Sequence, residues 1–361
     1  MFDLPKSDGL NTVAFSKMFT SLTNSYKLFW FKAIFDHVIK GNSRISYAEI
    51  IKSMIEESFP FIHRFKLQFS VLDQLESCLR SIPHDYKGKG DYSSLSKVID
   101  NRKLEKLHKE IKIYVPYRLV SSFYPNVKES TKNKVITEFL HTDEKALYKI
   151  DPESFNVTIT KEWMDYINDN QNLILGWYKY HLIKFLQKRN PSTPNIPAKI
   201  DAVRENINNQ RTFWKKVAQL EPRIDYDIYQ NLAFTNHSQE KLGAFSLDHI
   251  LPFDFVSHDL IWNLIPTHKN INSQKGTKLP SLQQIDFAID KQYLFFETAR
   301  KMDKLSKKEI NIMQEYSYLN PKLDYLDDSL NEETFKYILK EQLQSLYSIA
   351  YNQGFEPWKS D

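Results

Sequence analysis

Apolar residues recur at helical spacing along most of the chain. In residues 26–38, aromatic and aliphatic side chains return every three or four positions, which is the period of one helix face. The segments 170–189, 280–303 and 331–352 show the same spacing, and Ser46 with Glu49 has the form of a helix-opening capping box. The chain is therefore predicted to be mainly helical.

A few segments instead favour strand. "KIYV" at 112–115 and "FNVTIT" at 155–160 are rich in β-branched and aromatic residues. "AFSLDHI" at 244–250 and "LIWNLIPT" at 260–267 are also predicted strands, and a loop joins them. A short helix is predicted after Thr267, with Gly276 at its end. The order strand, loop, strand, short helix makes the fold α+β overall: mainly α with a small embedded ββα module.

Polar residues with complementary chemistry gather in this ββα segment. Asp248 and His249 end the first strand, Asn263 lies in the second, and Asn272 and Lys275 lie on the helix. Carboxylate and amide oxygens suit Mg²⁺, and a neutral histidine beside a metal can deprotonate water at neutral pH. This combination points to phosphodiester hydrolysis, in which water is activated and the charge of the leaving oxygen is neutralised.

The motifs "DHILP", "WNLIP" and "NSQK" resemble those of the HNH endonucleases, also called ββα-metal or His-Me finger nucleases. The spacing is close to that of the HNH domain of RNA-guided CRISPR nucleases, and the resemblance covers residues 244–280. It implies that His249 is the general base, and that Asn263 is a second catalytic residue that braces the loop and orients His249. It further implies that Asp248 and Asn272 hold one Mg²⁺ or Mn²⁺ ion.

The same resemblance implies that Lys275 approaches phosphate or stabilises the loop. Lys278 is expected to be a further nucleic-acid contact. Two further histidines lie in the segment. His258 is expected to make a loop-fixing hydrogen bond, and His268 is expected to be a surface residue at the start of the helix.

The segment departs from many HNH proteins in lacking cysteine pairs for structural zinc. Cys78 is the only cysteine in the chain, which also excludes an intramolecular disulfide framework; we expect it to be a small apolar core residue. The ββα unit must then be held by packing. The residues expected to supply that packing are Phe253, Phe255, Trp262 and Ile265.

Positive charge is concentrated upstream of the motif. Residues 171–220 contain nine basic and two acidic side chains, for a net +7, whereas residues 321–361 have a net charge of −4. The basic block indicates a polyanion partner, and a solvated helix face is the alternative. The predicted phosphate contacts are Lys184, Lys188, Arg189, Lys215 and Lys216. The interleaved aromatic residues, expected to be core, are Trp177, Tyr178, Tyr180, Phe213 and Trp214.

Three regions are predicted from these features. Residues 1–220 form a mainly helical recognition or partner-docking region with basic helices at 170–218. Residues 221–300 form the HNH nuclease domain, and 301–361 form a C-terminal helical region. No apolar run is long enough to span a membrane and no secretory signal is seen, so a cytoplasmic protein is expected.

The favoured function is a divalent-metal-dependent HNH endonuclease that acts on DNA. An RNA-directed nuclease and a non-catalytic nucleic-acid- or partner-binding helical protein are the alternatives. Freestanding HNH proteins with a large helical extension resemble restriction and phage-defence nucleases, which makes a homodimer or a partner defence protein the expected assembly.

Overall fold

The chain forms two compact units, Met1–Pro191 and Ser192–Asp361. The structure, a computed structural model, describes residues 4–83, 86, 92–151, 153–201 and 204–359. Within these ranges no helix combines the length and apolarity needed to cross a membrane.

The first unit is helical with one small sheet. Its helices are α1 (Thr12–Ser16), α2 (Tyr26–Ile39), α3 (Tyr47–His63), α4 (Gln74–Leu79), α5 (Tyr92–Ser96), α6 (Asn101–Leu119), α7 (Lys132–Thr142), α8 (Lys161–Asp169) and α9 (Gln171–Arg189). Its strands are β1 (Arg44–Ser46), β2 (Tyr148–Asp151) and β3 (Asn156–Ile159). They form an antiparallel sheet in the order β1-β3-β2.

The two strand predictions in this unit have different outcomes. The segment 155–160 contains β3, as predicted, whereas 112–115 lies inside the long helix α6 and its prediction as a strand is wrong. Asp100 caps α6 by accepting from the backbone nitrogens of Arg102 and Lys103. Leu104, Leu107, Ile111 and Val115 are buried along one face. That helical burial outweighs the β-propensity of four residues.

The second unit contains the ββα segment. Its helices are α10 (Ile196–Asp201), α11 (Asn208–Leu220), α12 (Asn236–Leu242), α13 (Phe253–Val256), α14 (Lys269–Lys275), α15 (Leu282–Arg300), α16 (Lys307–Leu319) and α17 (Glu332–Asn352). Its strands are β4 (Tyr226–Asp227), β5 (Leu232–Ala233), β6 (Phe245–His249) and β7 (Leu264–His268). β4 pairs with β5 and β6 pairs with β7, both antiparallel.

One apolar core joins the ββα segment to the surrounding helices. Phe213 and Trp214 of α11 contact Phe295 of α15, with ring centroids 5.1 and 4.1 Å apart. Gln292 of α15 donates from Nε2 to the carbonyls of Ile261 and Leu264, at 3.0 and 2.7 Å. α11 packs in this core, so the boundary predicted at residue 220 falls inside the second unit. The division along the chain lies between Pro191 and Ser192 instead.

The predicted fold class, mainly helical with a small embedded ββα module, is confirmed. The packing residues expected to hold the module are all buried: Phe253, Phe255, Trp262 and Ile265. Of the aromatic residues in the basic block, Trp177, Tyr178, Phe213 and Trp214 are also buried, as expected. Tyr180 is 38% exposed, so it is not a core residue.

Candidate active site

The β6–β7 hairpin and α14 set the positions of the polar side chains. The antiparallel register runs from Phe245 opposite His268 to His249 opposite Leu264. Because successive side chains of a strand alternate between faces, Ser246 and Asp248 share one face of β6. α14 follows β7 directly and is capped by Gly276, whose φ of +54° lies in the left-handed region that favours glycine.

Asp248 is buried and held by two donors. The Tyr229 hydroxyl and the Lys275 amine each lie 2.8 Å from Asp248 Oδ2. Burial, followed by the charge of Asp248, raises the pKa of Tyr229 well above its usual value, so this phenol remains a donor. Both contacts fall on Oδ2, and neither uses Oδ1.

Asn272 lies on the same side of the hairpin as Asp248. Its Nδ2 donates to Ser246 Oγ at 3.3 Å and to the Leu247 carbonyl at 3.0 Å. Ser246 shares the strand face of Asp248, and Lys275, one helical turn from Asn272, contacts Asp248 itself. The amide nitrogen is therefore fixed by β6, and the amide oxygen is not used in these two bonds.

His249 is oriented by a carboxylate that the sequence did not single out. Its Nε2 lies 2.8 Å from Asp259 Oδ1, and its side chain keeps 13% exposure. Asp259 is in turn held by the Glu205 backbone nitrogen, 3.2 Å from Oδ2. A proton on Nε2, shared with Asp259, leaves Nδ1 of His249 with its lone pair. The exposed fraction gives that ring a path to solvent.

His258 has the loop role predicted for it. Its Nδ1 accepts from the Leu260 backbone nitrogen at 3.3 Å, and its ring packs on Trp262 with centroids 4.9 Å apart. Burial, reinforced by the nearby His249, lowers the pKa of His258 to about 4. An imidazole with so low a pKa is a poor proton acceptor at neutral pH, so His258 is a poor candidate for the general base.

Asn263 braces the loop rather than touching a reactant. Its Oδ1 accepts from the Leu251 backbone nitrogen at 2.8 Å, and its Nδ2 donates to the Leu251 carbonyl at 2.9 Å. Its own carbonyl accepts from the Ile250 nitrogen at 2.8 Å. Since Asn263 is fully buried, its assignment as a catalytic residue is corrected to a positioning residue that fixes the chain immediately after His249.

The lysines predicted to contact nucleic acid fall in different environments. The Lys275 side chain is fully buried against Asp248, and its Nζ donates to the His249 carbonyl at 2.7 Å. It therefore stabilises the loop, and its assignment as a phosphate contact is corrected because its charge does not reach the surface. Lys278 is exposed.

The basic block is divided between the two units. Lys184, Lys188 and Arg189 belong to α9 of the first unit, whereas Lys215 and Lys216 belong to α11 of the second. The five were expected to form one phosphate-binding block, but the first three share no compact unit with the candidate active site. Lys216 is also partly neutralised, because its Nζ lies 2.8 Å from Glu309 Oε1.

A buried polar cluster around Asp227 and His268 supports the module. Asp227 Oδ2 lies 2.8 Å from the Thr267 hydroxyl and 2.9 Å from His268 Nδ1, and His268 Nε2 lies 3.0 Å from Ser238 Oγ. His268 is fully buried, so its prediction as a surface residue is wrong: the polar partners of β4 and α12 draw it inward. Ser238 also donates to the Ala233 carbonyl, so its hydroxyl links His268 to β5.

Glu315 of α16 binds the backbone at Ile261, and its titration makes the stability of the fold depend on pH. Its Oε2 accepts from the Ile261 nitrogen at 2.6 Å, and burial raises its pKa to about 7. Between pH 4.5 and 7 the unfolded chain loses this proton first, so stability falls as pH rises, by roughly 3 kcal/mol in total. Glu315→Gln, which keeps an acceptor for Ile261, should therefore raise the melting temperature more at pH 8 than at pH 5.

Thermal unfolding followed by circular dichroism at both pH values measures this difference. Glu341→Gln, at an exposed glutamate of α17, serves as the matched control and should change little at either pH. An equal effect of Glu315→Gln at pH 5 and pH 8 would show that the Glu315 carboxyl does not titrate differently in the folded chain.

No cluster of three or more His, Cys, Asp or Glu side chains in the described ranges could hold a metal ion. The site offers one carboxylate and one amide instead, a donor set that suits a cation with several water or phosphate oxygens in its shell. Asp248 Oδ1 and the Asn272 amide oxygen fit that description, because the neighbouring contacts use their other atoms.

A match to a known protein family covers the residues of this site. Residues 230–281 match the family model for HNH endonucleases, a range that includes β6, β7 and α14. No curated protein and no solved structure matches the chain. The predicted family is confirmed for this segment, and the chain therefore carries an HNH endonuclease domain in residues 230–281.

Proposed function

We propose that the chain is a divalent-metal-dependent endonuclease that hydrolyses phosphodiester bonds of DNA. The observation that carries this proposal is the placement of His249. Its imidazole is bound by Asp259 at 2.8 Å and partly exposed. It directly follows Asp248 on β6, and the Leu247 carbonyl of the same strand accepts from Asn272 of α14. A base and a hard oxygen donor set at one strand end suit metal-assisted hydrolysis.

His249 acts as the general base through Nδ1. The bond from Nε2 to Asp259 selects the tautomer and fixes the plane of the ring. Asp259 stabilises the positive charge that the ring gains when it takes a proton from water, as a carboxylate partner does in other histidine-based sites. Lys275 holds the carbonyl of His249, and Asn263 holds the main chain at Leu251, which limits displacement of His249 during the reaction.

Asp248 and Asn272 are the residues that would hold one Mg²⁺ or Mn²⁺ ion. When bound, such an ion supplies positive charge for the departing 3′ oxygen. Tyr229 and Lys275 keep the Asp248 carboxylate in place from its Oδ2 side, and β6 keeps the Asn272 amide in place through its nitrogen. Zinc has no role in this account, because cysteine ligand pairs are absent from the sequence.

Phosphate contacts in the second unit would come from exposed cations. Lys278 lies shortly after α14, and Lys215 places its Nζ 5.1 Å from the Phe245 ring at the start of β6. Such contacts contribute affinity that depends little on base sequence but strongly on salt. DNA is favoured as substrate; restriction or phage defence is the setting that the family resemblance suggests.

One HNH motif in the sequence supplies one base and one ion, and so cuts one strand per encounter. Cleavage of both strands of a duplex then requires two copies of the chain, two sequential nicks or a partner nuclease. We favour a homodimer, since two-fold symmetry places two sites on opposite strands. The products should carry 5′-phosphate and 3′-hydroxyl ends, because the 3′ oxygen is the leaving group.

The substrate class is tested by incubating the purified chain with supercoiled plasmid, single-stranded DNA and total RNA, each in Mg²⁺ and in EDTA. Degradation of the DNA substrates in Mg²⁺ and its loss in EDTA are expected. Degradation of RNA alone would overturn the choice of DNA while keeping the nuclease. Activity that persists in EDTA would overturn the metal requirement.

A further inference from the structure

A cavity of about 480 Å³ lies in the first unit, between α9 and the segment that follows α1. Pockets of this size are common for small ligands. Three cations line it together with an exposed aromatic ring and a histidine. The lining residues used below are Phe19, Tyr180, His181, Lys184, Lys188 and Arg189.

The cations meet in the cavity because of helical spacing. His181, Lys184 and Lys188 are separated by three and four positions on α9, so their side chains share one face. Arg189 is fixed beside them, because its guanidinium lies 3.7 Å from the Phe185 ring centroid and donates from Nη2 to the Thr23 carbonyl at 2.6 Å.

The cavity has no negative charge of its own in the described part of the chain, since none of its lining residues is acidic. Asp73, which acts on Arg189 electrostatically, does not line the cavity and accepts from the Ser25 nitrogen at 2.7 Å. Burial, followed by the charge of Lys184, lowers the pKa of His181 to about 4. His181 is therefore a neutral hydrogen-bonding group among three cations at pH 7.

An aromatic surface accompanies the charge. Tyr180 is 38% exposed, and Lys184 Nζ lies 5.3 Å from its ring centroid. Nucleobases stack on such rings without requiring a particular base. A converging set of cations beside an exposed ring fits a ligand that joins a phosphate to a flat heterocycle, whereas a duplex is better matched by cations spread along an open track.

We propose that this cavity of the first unit binds a free nucleotide, with its phosphates on Lys184, Lys188 and Arg189 and its base on Tyr180. This assignment replaces the nucleic-acid contact expected for these three cations from the sequence. The cavity belongs to the other compact unit, so a nucleotide there does not depend on the nuclease proposal.

Isothermal titration calorimetry of the full chain with ATP, GTP, AMP and inorganic phosphate, in EDTA, tests the proposal. ATP and GTP should bind with one site per chain and more tightly than AMP or phosphate. Lys184→Ala/Lys188→Ala should weaken ATP binding at least about tenfold, the effect of losing charged hydrogen bonds. Tyr180→Ala should weaken ATP binding but leave phosphate binding unchanged.

Two matched variants make the result specific. Lys134→Ala/Lys161→Ala removes two positive charges from exposed positions of the same unit and should leave ATP binding unchanged, as should His249→Ala in the HNH domain. Absence of saturable binding by all four probes overturns the proposal, as does equal weakening by the control pair. Tight binding of a single-stranded oligonucleotide without mononucleotide binding would overturn it in favour of a nucleic-acid path.

Discussion

Replacing His249 with alanine should lower the rate of phosphodiester cleavage by at least about a hundredfold, the usual scale for loss of a general base. Binding of nucleic acid should be unchanged, because the side chain is only 13% exposed and contributes little surface. The expected loss comes from the lost proton acceptor, since Asp259 and the partly buried His258 cannot replace Nδ1 of His249. Single-turnover cleavage and a gel-shift assay measure the two quantities separately.

His237→Ala is the matched control for this variant. His237 is an exposed histidine on α12 of the same unit, and its removal should leave the rate within about twofold of wild type, as is usual for surface substitutions. Cleavage by His249→Ala at near wild-type rate would refute the assignment of the base. A comparable loss in His237→Ala would point to a general defect of the preparation.

Asp248→Asn should weaken binding of Mn²⁺ more than tenfold and reduce cleavage at least about a hundredfold. Loss of a ligand should cost no less than loss of a supporting residue, for which the usual range is about ten- to a hundredfold. The amide keeps the size of the side chain and an oxygen for the Tyr229 hydroxyl, but removes the charge that a cation and Lys275 both require. Electron paramagnetic resonance of free Mn²⁺ measures binding independently of activity.

Because Lys275 is fully buried against Asp248, that variant leaves a buried amine without its carboxylate and costs stability. Asn272→Ala tests the same ligand pair with less risk to folding, since Asn272 is only partly buried. Asp303→Asn, at an exposed aspartate, is the control. Unchanged Mn²⁺ affinity in both Asp248→Asn and Asn272→Ala, with the fold retained, would remove them from the metal site.

The strands and helix of the HNH domain could be predicted because their signals are local. Alternation around Leu247 and Ile265, and the glycine after Lys275, indicate element type within a few residues. The order and spacing of Asp248, His249 and Asn272 then suggest one site. The predicted strand 260–267 was nevertheless partly displaced, since 261–263 form a 3₁₀ turn and β7 begins at Leu264.

The hydrogen-bond partners of the site residues could not be predicted from local sequence patterns. Tyr229 bonds to a residue nineteen positions later, and Asp227 bonds to His268 across forty-one. Such contacts depend on how the β4–β5 hairpin packs and leave no periodic pattern in the sequence. Asp259 carried only a weak signal, an acidic residue next to His258, and its true partner, His249, lies across the loop.

The net charge of a segment shows that it is basic but does not show which of its cations are exposed. The net charge of +7 predicts one nucleic-acid surface. In the structure, however, Lys199 is buried, with its Nζ 2.7 Å from Ser257 Oγ, and Lys216 pairs with Glu309. Net charge over a window cannot distinguish a cation that holds a loop from one that faces solvent. Burial and partners decide which of these lysines is available to phosphate.

Hydrolysis of DNA by this HNH domain through His249 and a divalent cation can be followed in a plasmid time course. Wild-type chain and His249→Ala are incubated with supercoiled plasmid in Mg²⁺, and wild type also in EDTA. We expect nicked or linear plasmid with 5′-phosphate ends for wild type in Mg²⁺ only. Intact plasmid in all three reactions, or equal nicking by wild type and His249→Ala, would contradict this expectation.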